Sequence, residues 1–573
     1  MKIRRHLAPL AAALSLAFAP AAQAQHKELL EYPSIHHPVV GEHGMVAAQS
    51  APAAEVGADI LRQGGNAVDA ATATAFALAV VLPRAGNIGG DGFMTIYDAK
   101  AGKVSVIDFR GVAPAAATLD LFVDANGHEK KIAGRGYVAP DVPGTVAGLW
   151  MAHGKFGKLP WAKLVEPAIA LARDGVVLSP DESSVFGWGK ERLSQSAASL
   201  RTFYKSDGSL YKAGERLQQP DLAWSLNEIA AHGADAFYKG AIADKLVADM
   251  KAHGGIITKA DLANYRAVLR EPLVGSYRGY TIYTPPPASA GGATLINMLN
   301  MLEHFDLRKD GAGSARELHL LAEAMKLAYN DRYRFLGDPA FVKSPLAGFT
   351  SKAYGEARAK LIDPDRARPA DQVGPGNPWA FESKQTTHFS VADDQGNAVS
   401  TTFTLGADFG SGVMVEGAGF LLNNEMNNFD HEYAWRARRD RKPPPLNAMQ
   451  PGKRMLSTMM PTIVFKEGKP WLVTGSPGGG TIIDTVAQVI VDTIDFGLNV
   501  DEAVNQPRIF QNASDTLKVE PNFNPDTMAK LKAMSHHVET GETMGSAQSI
   551  MIEHGLFLGA ADPRRPGAEA VAP

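Results

Sequence analysis

The 573-residue chain contains no cysteine, which excludes disulfides, thiol nucleophiles, Cys-zinc sites and iron–sulfur clusters. Any nucleophile must therefore carry oxygen or nitrogen. Net charge is also nearly absent, because 57 Lys and Arg residues face 61 Asp and Glu residues and leave a formal charge of −4. This balance gives no net attraction to nucleic acid or to anionic lipid, so a nucleic-acid partner is not expected. With 45% hydrophobic and 21% charged residues, the composition is that of a globular protein with a large core.

Most familiar catalytic motifs are missing as well. The chain has neither a Gly-x-Ser-x-Gly elbow nor a His-Glu-x-x-His pattern, and its isolated Ser-x-x-Lys at residues 209–212 is of the kind that arises by chance. The histidine pairs His36-His37 and His536-His537 lack the spaced partners of a metal site, which favours surface or packing roles for them. Neither a metal nor an organic cofactor is indicated.

The N-terminus has the pattern of a secretory signal peptide. Three basic residues among the first five precede an apolar run over residues 7–18, and Ala22-Gln23-Ala24 forms a small-x-small cleavage site. A membrane anchor is the weaker alternative, because the run is shorter than the ~20 residues needed to span a bilayer. We therefore expect residues 1–24 to be removed and the mature protein to be periplasmic or secreted.

The rest of the chain alternates between helical and β-rich stretches. Residues 51–62, 67–81 and 482–496 have helical patterns. Short β-rich runs come in pairs around turn sequences: 93–98 with 104–109, 387–392 with 398–405, 460–465 with 471–474, and 549–553 with 556–559. Paired strands with helices before and after predict two antiparallel sheets covered by helices, an α+β layered sandwich. The polar, Gly- and Pro-rich residues 371–383 predict an exposed linker that proteases can cut.

A glycine-rich loop lies between a predicted strand and a predicted helix at residues 475–480, Gly-Ser-Pro-Gly-Gly-Gly. Free backbone N–H groups at such a helix start can hold an anion or a developing oxyanion. The loop lacks the Gly-Lys-Ser/Thr ending of a nucleotide-binding P-loop, which disfavours phosphate binding. Taken alone, it is better explained as a tight strand-to-helix turn.

Residues 383–390, Ser-Lys-Gln-Thr-Thr-His-Phe-Ser, follow the polar linker at the start of a predicted strand. This stretch resembles the processing site of the γ-glutamyltransferases, which are members of the N-terminal-nucleophile hydrolases. The resemblance covers essentially the whole mature chain, and the number and order of its motifs make it specific. They are Gly65-Asn66-Ala67-Val68-Asp69-Ala70, Gly86-Asn87-Ile88-Gly89-Gly90, Asp108-Phe109-Arg110, Pro285-Pro286-Pro287, Leu421-Leu422-Asn423-Asn424-Glu425-Met426, Gly475-Ser476-Pro477-Gly478-Gly479 and Ala561-Asp562-Pro563-Arg564.

The resemblance implies a four-layer αββα sandwich and a precursor that is cut between Gln385 and Thr386. The products would be a large subunit of residues 25–385 and a small subunit of residues 386–573, which pair as a heterodimer. A physical reason supports such a cut: an α-amine with a pKa near ~8 is substantially neutral at working pH and can act as a base, whereas an internal amide nitrogen cannot. The uncut chain is therefore expected to be inactive.

The same resemblance implies the catalytic roles. The hydroxyl of Thr386 would attack the carbonyl of Gln385, the peptide would shift to an ester, and water would release the new terminus. In the mature enzyme Thr404 would hydrogen-bond the nucleophile and orient it. Gly478 and Gly479 would supply the oxyanion hole.

The substrate pocket also follows from the resemblance. Arg110 would bind the α-carboxylate of the substrate, because a guanidinium fork suits a carboxylate better than lysine does. Ser457 and Thr458 would add neutral hydrogen bonds to the same carboxylate. Glu425 and Asn428 occupy the positions that meet the α-ammonium.

This chain departs from the family at the ammonium pocket. The family usually has an Asn or similar polar residue where this chain has Gly406, and Asp-Asp where it has Asn427-Asn428. The second aspartate normally pairs with the ammonium, and a charge-assisted hydrogen bond is roughly twice as strong as a neutral one. Recognition of an amino acid should therefore weaken at Asn428, although Glu425 remains as an acidic partner.

The segment after this pocket also differs, since five of the seven residues 436–442 are basic. A solvated loop is the simplest interpretation. A sharper hypothesis is that these residues attract an acidic donor or acceptor, with Tyr433 or Trp435 covering the pocket.

The sequence thus predicts an exported, self-processing enzyme that transfers the γ-glutamyl group of glutathione or related amides to water or to an amino-acid or peptide amine. Gly406 and Asn428 leave open an acylase for glutaryl-type side chains, such as those of semisynthetic cephalosporins, with the same nucleophile. A possibility from another class is a non-catalytic periplasmic binding protein. The intact processing site and glycine loop argue against that possibility.

Overall fold

The computed structural model describes residues 34–373 and 385–573, without the side chains of residues 385 and 386. The predicted signal peptide and most of the predicted linker at 371–383 lie outside the described residues. The chain divides into a short unit that ends at His37 and one compact unit, Pro38–Pro573. None of the helices in the described ranges has the length and apolar character needed to cross a membrane.

The strands are short and distributed along the whole compact unit. They are β1 (Val39–Gly41), β2 (Gly44–Ala48), β3 (Asp91–Asp98), β4 (Lys103–Asp108), β5 (Val176–Val177), β6 (Arg216–Leu217), β7 (Val268–Arg270), β8 (Leu273–Tyr277), β9 (Tyr280–Thr284), β10 (Gln385–Asp393), β11 (Ala398–Gly406), β12 (Thr462–Lys466), β13 (Lys469–Thr474), β14 (Ile509–Gln511), β15 (Thr516–Val519), β16 (His537–Thr540), β17 (Gln548–Glu553), β18 (Leu556–Ala561) and β19 (Glu569–Val571).

The helices lie mainly between β4 and β10. They are α1 (Ala51–Arg62), α2 (Ala67–Val81), α3 (Leu119–Phe122), α4 (Thr145–Phe156), α5 (Trp161–Asp174), α6 (Pro180–Trp188), α7 (Lys190–Leu193), α8 (Ala197–Phe203), α9 (Pro220–His232), α10 (Ala234–Tyr238), α11 (Ala241–His253), α12 (Lys259–Asn264), α13 (Gly291–Leu302), α14 (Leu307–Asp310), α15 (Ala315–Phe335), α16 (Leu346–Phe349), α17 (Lys352–Ala359), α18 (His431–Arg439), α19 (Thr481–Ile494), α20 (Val500–Asn505) and α21 (Pro525–Ala533). Short 3₁₀ turns cover Lys131–Ala133, Ala370–Gln372 and Glu425–Asn428.

Two seven-stranded sheets form the centre of the unit. One has the order β1-β18-β17-β13-β12-β9-β8 and the other β19-β2-β10-β11-β3-β4-β7. Their neighbouring strands run antiparallel, as the paired β-rich runs predict. The hairpin β10–β11 therefore lies in the middle of its sheet, with β2 on one side and β3 on the other.

Side-chain alternation along the strands separates the layers. In β2, Val46 belongs to a core shared with α1, α2 and α5, whereas Met45 packs in the layer between the sheets. In β13, Leu472 packs with α13, α15 and α19, whereas Val473 faces the layer between the sheets. Because successive side chains of a strand point to opposite faces, each sheet carries helices on its outer face and meets the other sheet on its inner face. The architecture is an αββα sandwich.

Two buried histidines connect α15 to the segment before β16. The Nε2 of His319 lies 2.7 Å from the carbonyl oxygen of Asp363, and its Nδ1 lies 2.7 Å from the Nε2 of His536. Since a carbonyl only accepts, His319 donates through Nε2 and accepts at Nδ1 from His536. The Nδ1 of His536 then has no hydrogen, and it is enclosed without a partner among the described residues. Burial lowers the pKa of His536 to about 3, so both rings are neutral near pH 7.

We expect this pair to make the protein sensitive to mild acid. The pKa of His536 is depressed below its ordinary value of 6.5 in the folded state, so the unfolded chain takes up the proton first as pH falls. One such histidine removes about 1.4 kcal/mol of unfolding free energy per pH unit below 6.5, or about 2 kcal/mol at pH 5. Urea unfolding at pH 7 and pH 5 should show this loss in the wild type and a smaller loss in His536→Gln. The exposed neighbour is the control: His537→Gln should keep the full loss, and an unchanged pH dependence in His536→Gln would contradict the assignment.

Candidate active site

The predicted cleavage site lies at the beginning of β10, in the middle of a sheet. Gln385 pairs with Gly406 of β11 and Thr387 pairs with Phe403, so the register shifts at Thr386. Irregularities of this kind re-aim a side chain or end the pairing of a strand. Gly86 packs against the next residue, since a Cβ at Gly86 would lie 2.4 Å from the Cγ2 of Thr387. The backbone at Thr386 is thus held closely on its C-terminal side.

Thr404 lies at the matching end of β11, where it pairs with Asp91 of β3. Its side chain is buried, and its Oγ1 accepts a hydrogen bond of 2.8 Å from the N–H of Gly406. The predicted hydrogen bond between Thr404 and Thr386 stays a prediction, because the side chain of Thr386 is not among those that the structure describes.

His388, a buried histidine to which sequence reasoning gave no role, lies two residues after Thr386 in β10. The Nε2 of His388 lies 3.1 Å from the Oγ of Ser390, which donates to the carbonyl of Gln548 at 2.8 Å. Ser390 therefore accepts from His388, and the Nδ1 of His388 accepts from the Oγ1 of Thr402 at 3.0 Å. Burial lowers the pKa of His388 to about 3. Both ring nitrogens are occupied and the ring is neutral, so His388 offers no general base.

The glycine-rich loop begins against this histidine. A Cβ at Gly475 would lie 2.5 Å from the Cε1 of His388. Farther along, Gly478 and Gly479 have φ values of +128° and +58°, a conformation that favours glycine. In the part of the chain that the structure describes, neither N–H group of this pair donates a hydrogen bond. Two free N–H groups just before α19 suit a negatively charged oxygen.

The carbonyls of the loop are held by other side chains. The Oγ1 of Thr458 donates to the carbonyl of Gly479 at 2.8 Å, and the hydroxyl of Tyr329 donates to the carbonyl of Gly480 at 2.5 Å. The adjacent Ser457 accepts at its Oγ from the N–H of Met459 at 3.0 Å. Thr458 is therefore part of the loop's support in addition to its predicted contact with substrate.

Arg110 is at the centre of a buried ion-pair cluster. Its side chain is 1% exposed, and its two terminal nitrogens donate to Asp91 and Glu425 at 2.6 Å each. It also donates to the backbone carbonyls of Met455 and Leu456 at 3.3 and 3.4 Å. The structure thus brings together two residues that sequence reasoning assigned to one pocket, Arg110 and Glu425, and adds Asp91, which that reasoning missed.

A third buried carboxyl group, that of Asp141, lies near the same arginine. Asp141 accepts from the Nδ2 of Asn423 at 2.8 Å, and its other oxygen would lie 2.0 Å from a Cβ at Gly111. Burial raises the pKa of Asp91 to about 7, although Arg110 opposes the rise, and it raises the pKa of Asp141 well above the ordinary range. One guanidinium therefore faces three buried carboxyl groups, and the cluster retains a proton near neutral pH.

The structure places Asn428 directly beside this cluster. Its Nδ2 donates to Glu425, the same carboxylate that pairs with Arg110. Its Oδ1 is enclosed and has no hydrogen-bond partner among the described residues. Next to it, a Cβ at Gly406 would lie 2.2 Å from the Oδ1 of Asn424, so Asn424 occupies the space that a side chain at 406 would need.

The prediction that residues 436–442 form a loop is wrong in its first part, because residues up to Arg439 belong to helix α18. The ring of Trp435 packs on Gly127, where a Cβ would lie 2.2 Å from the ring. The arginines form surface ion pairs: Arg436 with Glu432, Arg438 with Asp120, and Arg439 with Asp440. Three arginines with acidic partners on a docked helix favour the interpretation of α18 as a solvated face.

A family model described as Gamma-glutamyltranspeptidase matches residues 53–572. The chain belongs to the γ-glutamyltranspeptidase family. The resemblance predicted from the sequence is confirmed, and the chain is an enzyme of this family. A glutathione hydrolase proenzyme of Escherichia coli (strain K12) is 48% identical over 534 residues, 92% of each chain.

Acylases are also among the relatives of this chain. An acylase ACY 1 proenzyme of Pseudomonas sp. (strain SE83) is 38% identical over 541 residues, 92% of this chain and 94% of the acylase. The solved structure of a cephalosporin acylase from Bacillus halodurans matches with a TM-score of 0.84 at 30% identity, over 97% of this chain and 99% of the acylase. This likeness confirms the αββα sandwich of the N-terminal-nucleophile hydrolase type.

Contact between Gly475 and His388 gives a direct test of this geometry. In Gly475→Ala the new methyl group must displace a histidine ring that is hydrogen-bonded on both sides, and overpacking of a rigid core costs about 1–3 kcal/mol. Urea unfolding should show a loss of that size. Gly154→Ala is the control, because Gly154 lies in α4 with nothing within 4 Å of an added Cβ, and helix propensity there should stabilise by up to about 1 kcal/mol. Equal stability of the two variants would refute the packing argument.

Proposed function

We propose that the chain is cleaved between Gln385 and Thr386 and that the freed amine of Thr386 activates its own hydroxyl. The bulge at Thr386 and the two free N–H groups of Gly478 and Gly479 support a nucleophile and an oxyanion hole at the same end of the sandwich. Histidine catalysis is disfavoured, because His388 is neutral and both of its nitrogens are occupied. The hydroxyl would attack an amide carbonyl, expel the amine and leave an ester that water or another amine resolves.

The proposed donor is a γ-glutamyl amide such as glutathione, and the observation that carries this proposal is the Arg110–Glu425 ion pair. The α-amino-acid end of a γ-glutamyl group carries a carboxylate and an ammonium, the same two kinds of charge as in that ion pair. Its carboxylate can replace Glu425 on Arg110, while its ammonium gives Glu425 a new cationic partner. Both buried charges stay paired through this exchange, with Ser457 and Thr458 adding neutral hydrogen bonds to the carboxylate.

A glutaryl group would open the same ion pair without compensation. It brings a carboxylate for Arg110 but no ammonium for Glu425, and leaving a buried charge unpaired costs about 3–5 kcal/mol. The glutaryl acylase nevertheless remains the second candidate, because acylases are among the relatives and because Asn428 is neutral where the family usually has an acid. The Arg110–Glu425 pair favours the γ-glutamyl donor over it.

The cellular setting of the proposal follows from the sequence. Export to the periplasm or medium is proposed from the N-terminal signal pattern, and the acceptors would be water, amino acids or peptides. The large and small subunits would stay together as a heterodimer. Contacts across the proposed cut support this, because Arg110 would belong to one subunit and Glu425 to the other.

Substitution of the proposed nucleophile tests self-processing. Thr386→Ala removes the hydroxyl, so denaturing electrophoresis should show one chain and γ-glutamyl anilide hydrolysis should fall by at least 10³-fold. Thr386→Ser keeps a hydroxyl and an N-terminal amine and should still split in two, with reduced activity. The neighbouring Thr387→Ser controls for general damage to β10 and should be processed. An uncut Thr386→Ala chain that still turns over amides would overturn the mechanism.

The neutral residue beside Glu425 gives a test of specificity. Asn428→Asp supplies a second carboxylate for the substrate ammonium, and a gain of about 1 kcal/mol corresponds to a five- to tenfold change. The ratio of kcat/KM for a γ-glutamyl anilide to that for a glutaryl anilide should rise by this factor. Asn427→Asp adds the same charge one residue away and should leave the ratio within twofold. A wild-type preference for the glutaryl anilide would favour the acylase.

A further inference from the structure

A polar cavity lies between the start of α15 and the end of α19, and none of its lining residues belongs to the Arg110 cluster. It has a volume of about 240 Å³, and the loop before α21 closes it. Two acidic side chains line it: Glu317, which is 2% exposed, and Asp492, which is 8% exposed. The proposed γ-glutamyl chemistry uses neither residue.

The carboxyl group of Asp492 has no partner of its own. Over residues 34–373 and 385–573, it takes part in no hydrogen bond or ion pair. It also lies in the last turn of α19, where the helix dipole disfavours a negative charge. Buried polar groups are normally hydrogen-bonded and buried charges are normally paired, so an unpartnered carboxyl group that faces a cavity indicates a missing cationic partner.

Glu317 adds a second acidic side chain to the wall of this cavity. One of its oxygens accepts from the N–H of Gly313 at 3.2 Å, and the Oγ of Ser314 caps the helix by accepting from the N–H of Glu317. These contacts fix the side chain at the start of α15. Burial, and after it the charge of Asp492, raise the pKa of Glu317.

Within the described ranges, the neighbouring charged groups have other partners and do not form ion pairs with Glu317 or Asp492. Arg508 is the cation that acts on Asp492, but its guanidinium is engaged by Asp562 at 2.7 Å. Asp495 adds further negative charge, and it is itself paired with Arg278 at 3.0 Å. The amide of Gln488 is turned to the backbone carbonyls of Asp484 and Ile509. None of these groups supplies a free cation to the two acids, and burial raises the pKa of Asp492 to about 8, so its carboxyl group is charged in the empty cavity only above about that pH.

The remaining wall of the cavity is mixed. Gln506, Asn522, Asn524 and Thr527 are polar, whereas Leu318, Leu321 and Phe523 form an apolar part of the wall. No group of three or more His, Asp or Glu residues suited to a metal is found in the described ranges. The apolar part of the wall suits an alkyl chain, and its aromatic ring can also attract a cation. We infer that this cavity binds a small organic cation, a primary alkylammonium whose charged end meets Asp492 and Glu317 and whose alkyl part lies against Leu318, Leu321 and Phe523.

Thermal denaturation and calorimetric titration of the purified protein at pH 8.5 test this inference with butylammonium chloride. The wild type should gain at least 2 °C in Tm at saturation. Asp492→Asn should bind at least tenfold more weakly, and so should Glu317→Gln, which removes the other charge. Because amines are also proposed as acceptors at the active site, only binding that Asp492→Asn abolishes is assigned to the cavity.

Matched controls separate this site from diffuse attraction. Asp526→Asn removes an exposed acid at the start of α21, beside the cavity, and should leave the Tm shift unchanged. Butanol has the alkyl chain without the charge and should give no shift, and sodium or calcium chloride at equal ionic strength should give none. The inference is overturned if either salt or butanol reproduces the shift, or if Asp492→Asn binds as the wild type does. It is also overturned if Asp492→Asn lowers the amine-free Tm by more than 5 °C, since the carboxyl group would then serve the fold.

Discussion

The burial of Arg110 between Asp91 and Glu425 connects distant parts of the chain at the candidate active site. Asp91 begins β3, Arg110 follows β4, and Glu425 lies in a 3₁₀ turn more than 300 residues later. Removing one partner of such a buried pair leaves an uncompensated charge and costs about 3–5 kcal/mol. The pair therefore helps to hold the fold together, and a ligand that supplies both a carboxylate and a cation would open it at the lowest cost. In the proposed function, stability and the choice of donor would depend on the same contact.

The arrangement around Thr386 has the rigidity that a preformed catalytic site requires. The hairpin β10–β11 has strands on both sides, and the ring of His388 is fixed by hydrogen bonds at both nitrogens. That ring also separates the beginning of β10 from Gly475, where the glycine loop starts. The distance between the proposed nucleophile and the N–H groups of Gly478 and Gly479 is thus set by a neutral, closely packed side chain, which limits the reorganisation needed during the reaction.

The sequence predicted the hairpins of the sandwich well but missed strands whose partners are far away. Helices α1 and α2 match their predicted ranges, and each predicted strand pair is present. Strand β2 was missed because alanine has a low strand propensity, and only pairing with β10 and β19 makes this segment extended. The hairpin β8–β9 was missed because its two-residue turn is Arg278-Gly279, both at positive φ, where Asn-Gly is the usual signal.

Within the candidate site, the short motifs predicted which residues lie together, but they did not predict the balance of charges among those residues. Arg110 and Glu425 were expected in one pocket, and they are in contact. Asp91 and Asp141 were not expected there, because a carboxylate that is remote in sequence carries no local signal of burial. Helix α18 was read as a loop because its basic residues resemble a solvated segment, whereas ion pairs with acids on its own turn and on α3 support a helix.

The charge balance of this cluster also explains how a neutral residue can be stable at 428. Three carboxyl groups already surround one guanidinium, and burial holds the pKa of Asp91 at about 7. A fourth carboxylate would raise the repulsion in the empty pocket and would be neutralised only when an ammonium is bound. The amide of Asn428 instead donates to Glu425 and stabilises its negative charge on Arg110. The amide thus satisfies Glu425 in the free protein. In the proposed function it would hold the substrate ammonium more weakly than a carboxylate, so recognition of the donor would rest more heavily on the exchange at Glu425.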